Sequence, residues 1–267
     1  MTRPLKTPYC RVMDRRFAPL PLPLLLLACG SPDPVPGPAE EMAPAVLTET
    51  LDAARPEPLI DLLDDPRAAV GDDAACPLVE VLPSAPGVVH ERWHGGCRTV
   101  AGSTIQGRLE RYAGPSAAWV ASEGFTVRHD GGLVFALSGS IELQEQGDLV
   151  LLDAATTWCG GAGMTCMDGP VPVDLAFTIF PLSGYPAAYD GTVTGAVGAS
   201  EGVATVEGAW SVDLAACPIE PANGTFSVRA VERHALVMDG ATACDACAAW
   251  TVGGRSAPAW CSGPDGL

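Results

Sequence analysis

His90-Glu91-Arg92-Trp93-His94 has the order H-E-x-x-H. On a helix this spacing puts two imidazoles one turn apart, where they can hold zinc while the glutamate polarises a metal-bound water. That chemistry is metal-dependent hydrolysis through His90, Glu91 and His94. The flanks point elsewhere. Pro83 and Pro86-Gly87 precede the motif, Val88-Val89 lead into it, and Gly95-Gly96-Cys97 follow at once. The expectation is therefore a strand, with His90, Arg92 and His94 on one face and the chain turning at Gly95-Gly96. The hydrolase is the alternative.

Gly198-Ala199-Ser200-Glu201-Gly202 matches the G-x-S-x-G nucleophile elbow, and Asp213 and His234 follow in hydrolase order. An elbow needs a helix after its serine. Here Val203 to Val206 starts an alternating strand, so a hairpin loop is expected. His129 beside Asp130 and His234 after Arg233 read as isolated histidines. Asp239, Asp245 and Asp265 lack the spacing of a calcium loop and read as solvated acids. The tryptophans, including Trp119, Trp158, Trp210, Trp250 and Trp260, are expected to fill the core rather than stack on sugars. No catalytic residue, metal ligand or cofactor is assigned.

Cysteine chemistry is the stronger signal. Beyond Cys10 and Cys29 stand eight cysteines: Cys76, Cys97, Cys159, Cys166, Cys217, Cys244, Cys247 and Cys261. An even number in an exported chain implies disulfides, and eight cysteines allow about 105 pairings. Sequence proximity favours Cys76 with Cys97 and Cys159 with Cys166. A turn at Gly253-Gly254 can bring Cys247 to Cys261, which leaves Cys217 for Cys244. Cys244-Asp-Ala-Cys247 also has zinc-ligand and redox spacing, the rival reading.

The amino-terminal segment reads as an address. Arg3, Lys6, Arg11, Arg15 and Arg16 precede the apolar run Leu20 to Ala28. A basic region and a short apolar region make a secretory signal over residues 1–28, too short to span a bilayer, with Met13 as a more typical start. Leu26-Leu27-Ala28-Cys29 resembles the lipobox of bacterial lipoproteins. That resemblance implies cleavage before Cys29, acylation of its sulfur and new amino group, and stable membrane anchoring. Gly30 stands where an aspartate would favour inner-membrane retention, so the resemblance implies the outer membrane.

The 267 residues carry a formal charge of −17. Without residues 1–28 the charge becomes −21, the only lysine is lost, and every remaining base is an arginine. Such a surface repels nucleic acid and anionic lipid heads. The partner implied is the membrane, through the lipid; a protein or glycan partner is not identified.

Positioning falls to the elements that follow. Residues 29–44 are proline-rich and read as an extended tether. Residues 45–75 read as short helices, with Val46, Leu47, Leu51 and Ala54 at helical spacing and Leu59, Ile60, Leu62 and Leu63 after a Pro56/Pro58 break. Residues 76–267 alternate apolar and polar. Leu133, Phe135, Leu137, Gly139, Ile141 and Leu143 share one strand face; Ala204, Val206, Gly208, Trp210, Val212 and Leu214 share another; Val173, Leu175, Phe177 and Ile179 share a third. Turns are expected at Asp130-Gly131-Gly132, Gln146-Gly147-Asp148, Asp190-Gly191 and Asn223-Gly224.

An apolar-x-Gly-x-apolar pattern recurs around Gly107, Gly139, Gly195 and Gly208. A glycine on the apolar face permits a sharp bend or a bulky neighbour against the backbone. The expected fold is all-β: an antiparallel curved sheet forming a sandwich or roll, preceded by one or two short helices and stapled by disulfides. The expected protein is a lipid-anchored envelope protein with a non-catalytic binding or structural β domain. A calcium-dependent carbohydrate or surface-polymer binder is a further alternative.

Overall fold

The structure is a computed structural model and describes residues 47, 50, 51, 53–67, 75–160, 166, 169–199, 202–218, 221–230 and 232–261. All of them belong to one compact unit, residues 38–267. The signal segment, Cys29 and the proline-rich tether lie outside the described residues.

Helical residues 47, 50, 51 and 53 are followed by helix α1 (Glu57–Asp64). Pro56 caps α1 and Pro58 lies in its first turn, where a missing N–H leaves no bond unmade. Fifteen strands follow: β1 (Leu78–Val81), β2 (Val89–His94), β3 (Cys97–Arg98), β4 (Thr104–Ala113), β5 (Ala117–His129), β6 (Gly132–Gln146), β7 (Leu149–Cys159), β8 (Val171–Phe180), β9 (Ala188–Ala199), β10 (Gly202–Asp213), β11 (Asn223–Arg229), β12 (Arg233–Met238), β13 (Cys247–Val252), β14 (Arg255–Ser256) and β15 (Trp260–Cys261). They form one antiparallel sheet whose order follows the chain, with β3 beside β4 and β15 beside β13. The all-β expectation holds, as a single continuous meander.

Alternation decides which side of each strand is buried. Phe135, Leu137 and Ile141 of β6, Val173, Leu175, Phe177 and Ile179 of β8, and Ala204, Val206 and Trp210 of β10 all face the core. Leu214 does not; it lies beyond the end of β10 and is 44% exposed. Two apolar clusters result. The larger joins β2 and β4–β10 with Leu59, Leu62 and Leu63 of α1. The smaller joins β10–β13 and Trp260 with Leu47 and Leu51. Helix α1 is fixed over the large cluster by polar ties as well. The Tyr189 hydroxyl donates to Glu57 Oε1 (2.8 Å). Arg111 donates to the Leu63 carbonyl (3.1 Å) and to that of Asp64, satisfying the free carbonyl end of the helix.

The glycine pattern resolves into two uses. Gly139 (φ +114°) and Gly195 (φ +147°) sit in conformations that other residues rarely adopt. A Cβ there would collide with the carbonyl oxygens of Ala155 and Asp174 on the next strands. These are places where the sheet bends and backbones close in. Gly208 makes room instead: a Cβ would stand 2.6 Å from the Phe226 ring, which stacks on Trp210 at 5.2 Å.

Three turn expectations need correction. Asp130-Gly131 and Gln146-Gly147-Asp148 do turn tight hairpins. Asp190-Gly191 lies inside β9, however, and Asn223-Gly224 opens β11. Gly191 and Gly224 are the register partners of Trp210 on either side. A side chain at Gly191 would enter the indole, and one at Gly224 would stand 2.9 Å from the Trp210 Cβ. These glycines form a slot for Trp210. Nor does Gly95-Gly96 reverse the chain. The N–H groups of Gly95 and Gly96 bond to the carbonyls of Gly107 and Ile105, so the chain runs on along β4 from β2 into β3.

The eight cysteines form four bridges: Cys76–Cys97, Cys159–Cys166, Cys217–Cys244 and Cys247–Cys261. The first two are the pairs that sequence proximity favours, the last is the one a turn at Gly253-Gly254 allows, and Cys217–Cys244 is the remainder. Cys244 and Cys247 belong to different bridges, so the Cys-x-x-Cys spacing forms neither a zinc site nor a dithiol pair here.

Candidate functional site

H-E-x-x-H lies on β2, not on a helix. Strand alternation separates its members. His90 and His94 point to the outer face, and Glu91 lies on the same side as Trp93, at the rim of the core. Glu91 accepts from Trp93 Nε1 (3.2 Å) and stands 3.9 Å from Arg67, whose guanidinium lies over the Trp93 ring. That carboxylate therefore ties the segment after α1 to β2. The zincin arrangement is not formed, and among the described residues no group of three His, Cys, Asp or Glu can hold a metal.

The other matches separate as well. Ser200 and Glu201 lie outside the described residues, but Ala199 and Gly202 pair across a β9–β10 hairpin, where an elbow would need a strand-to-helix turn. Asp213 ends β10, and its carboxylate accepts the N–H groups of Ala215 and Ala216. His234 on β12 is buried, and burial holds its imidazole below the ordinary value of 6.5. It stacks on Trp250 at 5.9 Å. Asp239 and Asp245 take part in tight turns through Asp239 O and Asp245 Oδ1; Asp265 lies outside the described residues.

One Ser-His-Asp contact was not legible in the sequence. Ser103 Oγ lies 3.1 Å from His129 Nδ1, and His129 Nε2 lies 3.6 Å from Asp130. Its setting is wrong for nucleophilic catalysis. The Asp130 side chain is 93% exposed, so water screens the charge that a buried orienting aspartate would hold against the imidazole.

What the fold does assemble is a patch on the outer face of β2, β4 and β5. His90 pairs in register with Tyr112, and Tyr112 with Trp119. The Tyr112 and Trp119 rings are parallel to within 7°, their centroids 5.9 Å apart. His90 meets both edge-on, at 5.9 and 5.8 Å. The Tyr112 ring reaches along its strand over Gly114, where a Cβ would stand 2.9 Å from the hydroxyl.

Beside the rings, Glu110 collects the local donors: His90 Nε2 at 3.0 Å, Arg92 Nε and Nη2 at 3.1 and 3.0 Å, and Arg108 Nη2 at 3.3 Å. Burial would raise the Glu110 carboxyl. The hydrogen bonds from His90 and Arg92, with the charge of Arg92, outweigh it and hold the group below its ordinary 4.5. Because a carboxylate only accepts, this contact puts the His90 proton on Nε2. Glu80 completes the network, 3.6 Å from Arg92 and 3.4 Å from His94.

Sequence reasoning placed Trp119 in the core. Five of the six tryptophans are indeed buried there: Trp93, Trp158, Trp210, Trp250 and Trp260. Trp119 is the exception, half-buried on the outer face. Parity carried the signal: Val120 beside it faces the core, so Trp119 must face out. Its partner Tyr112 carried none, because the residue of β4 that faces Trp119 is set by the turn joining β4 to β5, not by the alternation of either strand.

No protein-family model, curated protein or solved structure matches this chain.

Proposed function

We propose that this chain is an exported, lipid-anchored envelope protein whose sheet domain acts without catalysis, as a binding module presented on a proline-rich tether. The observation that carries the reading is the pairing of all eight cysteines beyond Cys29. Four structural disulfides belong to an oxidising compartment. The lipobox-like Leu26-Leu27-Ala28-Cys29 supplies the anchor, and Gly30 favours the outer membrane. Support for binding rather than turnover comes from the outer face. Its acids and bases neutralise one another around Glu110, and the Ser103–His129 contact is backed only by the exposed Asp130.

Expression of the full chain in a Gram-negative host with an alkyne-palmitate label tests the anchor. Label is expected on the wild type and lost in Cys29→Ala, with the protein recovered from outer-membrane fractions. Unlabelled, soluble wild type contradicts the reading. A panel of esterase, protease and glycosidase substrates tests the second half, and turnover abolished by Ser103→Ala, Ser200→Ala or Glu91→Gln overturns it.

A further inference from the structure

We propose that the outer-face patch centred on Trp119 and Tyr112 is a binding site for an uncharged pyranose chain. The inference rests on the reading of this domain as a binding module and names the ligand class of that face. Burial accounts for the other five tryptophans, and Trp119 alone leaves part of an indole open to solvent. Its ring is held before any ligand arrives: Tyr112 lies parallel to it, lowered over Gly114, and His90 abuts both rings edge-on while bonded to Glu110. Preorganised aromatic surface that is amphipathic at its edges suits a ligand with a flat C–H face and hydroxyls around its rim.

The neighbours narrow the choice. In register the patch forms one transverse row, His90–Tyr112–Trp119–Glu142–Asp153, across β2, β4, β5, β6 and β7. Successive strands stand about 4.8 Å apart, close to the repeat of a pyranose chain, so the row offers roughly one contact per sugar. Glu142 and Asp153 flank the rings on one side. On the other, Glu110 is bonded to His90, Arg92 and Arg108. Carboxylates and guanidinium groups at fixed positions hydrogen-bond hydroxyls well. The carboxylates of Glu142 and Asp153 in the row disfavour an anionic polymer, and the charged rim disfavours an apolar protein surface.

The test uses the full acylated protein in detergent, titrated with cellohexaose, mannohexaose, chitohexaose and the anionic oligomer hexagalacturonate. Intrinsic tryptophan emission and calorimetry report binding. At least one neutral hexamer is expected to saturate. Trp119→Ala is expected to weaken it by about tenfold or more, and Trp119→Phe, which keeps a flat ring, by no more than about threefold. Gly114→Ala, which lifts the Tyr112 ring, is expected to fall between them.

Oxidation by N-bromosuccinimide, mapped by mass spectrometry on the wild type, makes the test independent of variant folding: bound sugar is expected to protect Trp119 and to leave the buried tryptophans unchanged. The proposal is overturned if no neutral hexamer binds, if only hexagalacturonate binds, or if Trp119 remains unprotected at saturation. Palmitate label on Cys29 with no sugar bound would refute the ligand class alone, whereas loss of that label refutes the anchoring.

Discussion

The two apolar clusters of this sheet are built on different terms. The large one, under β2 and β4–β10, uses strands of up to 15 residues, is covered by α1, and buries Trp93, Phe125, Phe135 and Trp158 almost completely. No disulfide joins any two of its long strands to each other. The small one, under β10–β13, uses strands of 6 to 7 residues beyond β10, and two of the four bridges lie around it, Cys217–Cys244 and Cys247–Cys261. It also holds two of the three buried side-chain nitrogens that lack a partner among the described residues, His234 Nδ1 and Trp250 Nε1; the third is Trp158 Nε1. Each such group costs about 1–3 kcal/mol. Where burial is extensive, packing holds the long strands to one another, and Cys76–Cys97 and Cys159–Cys166 staple only the adjoining segments. Where it is thin and imperfectly satisfied, covalent links take over.

The contrast can be broken most forcefully in the large cluster. Phe125→Ala removes a fully buried ring between Trp93 and Phe135 and is expected to cost about 3–5 kcal/mol, lowering the melting temperature of the whole domain. Uniform loss of amide protection would show that this cluster governs global stability; loss confined to β4–β6 would contradict it. Replacing Cys217 and Cys244 together by alanine is expected to cost about 2–4 kcal/mol. Here hydrogen exchange should quicken in β11–β13 first, while β4–β9 keep their protection. Equal acceleration everywhere would mean that the two clusters unfold as one.

Gly191→Ala probes the seam between them. The added methyl enters the Trp210 slot and is expected to cost about 1–3 kcal/mol, read by urea denaturation. Gly202→Ala, at the start of β10 with open space around it, is a control for backbone strain alone.

The smallest effect separates the clusters by pH. The His234 imidazole is held below 6.5 by burial, so the unfolded chain takes up the proton more readily than the folded one. Stability from this group is complete above 6.5 and is lost as pH falls below that value. Glu232, the one charged group acting on it, pulls the other way. Glu110 is held below 4.5, so the stability it contributes is lost only as pH falls beneath that. Exchange measured at pH 5.5 is therefore expected to show β11–β13 loosened and β2–β5 intact, and His234→Leu is expected to remove the difference. Unchanged protection of β11–β13 between pH 7 and 5.5 would refute it.

Much of this was readable residue by residue. Alternation named the buried faces of β6, β8 and β10 because a strand exposes one side only. Proximity pointed to Cys76–Cys97 and Cys159–Cys166, the Gly253-Gly254 hairpin to Cys247–Cys261, and Cys217–Cys244 followed only as the remainder; the structure chose this set from the pairings the sequence leaves open. The helical stripe Leu59, Leu62, Leu63 was visible as well. The errors share one cause. Asp190-Gly191 and Asn223-Gly224 have the composition of turns, yet they serve a tryptophan on the strand that runs between them. Gly95-Gly96 resembles a reversal, but β4 has backbone partners for both residues. Trp119 was grouped with the other tryptophans by type, although its parity set it apart.

The amino-acid order by itself determined the all-β class, the inward side of β6, β8 and β10 and the lipobox-like signature, because these depend on neighbours within a few residues. Register belongs to the assembled sheet. It alone decided that His90 meets Tyr112 and Trp119 and that Trp210 sits between two glycines. Pairing between strands is fixed by bulges, bends and the packing of the whole face, so a shift of one residue would have reversed each of those outcomes.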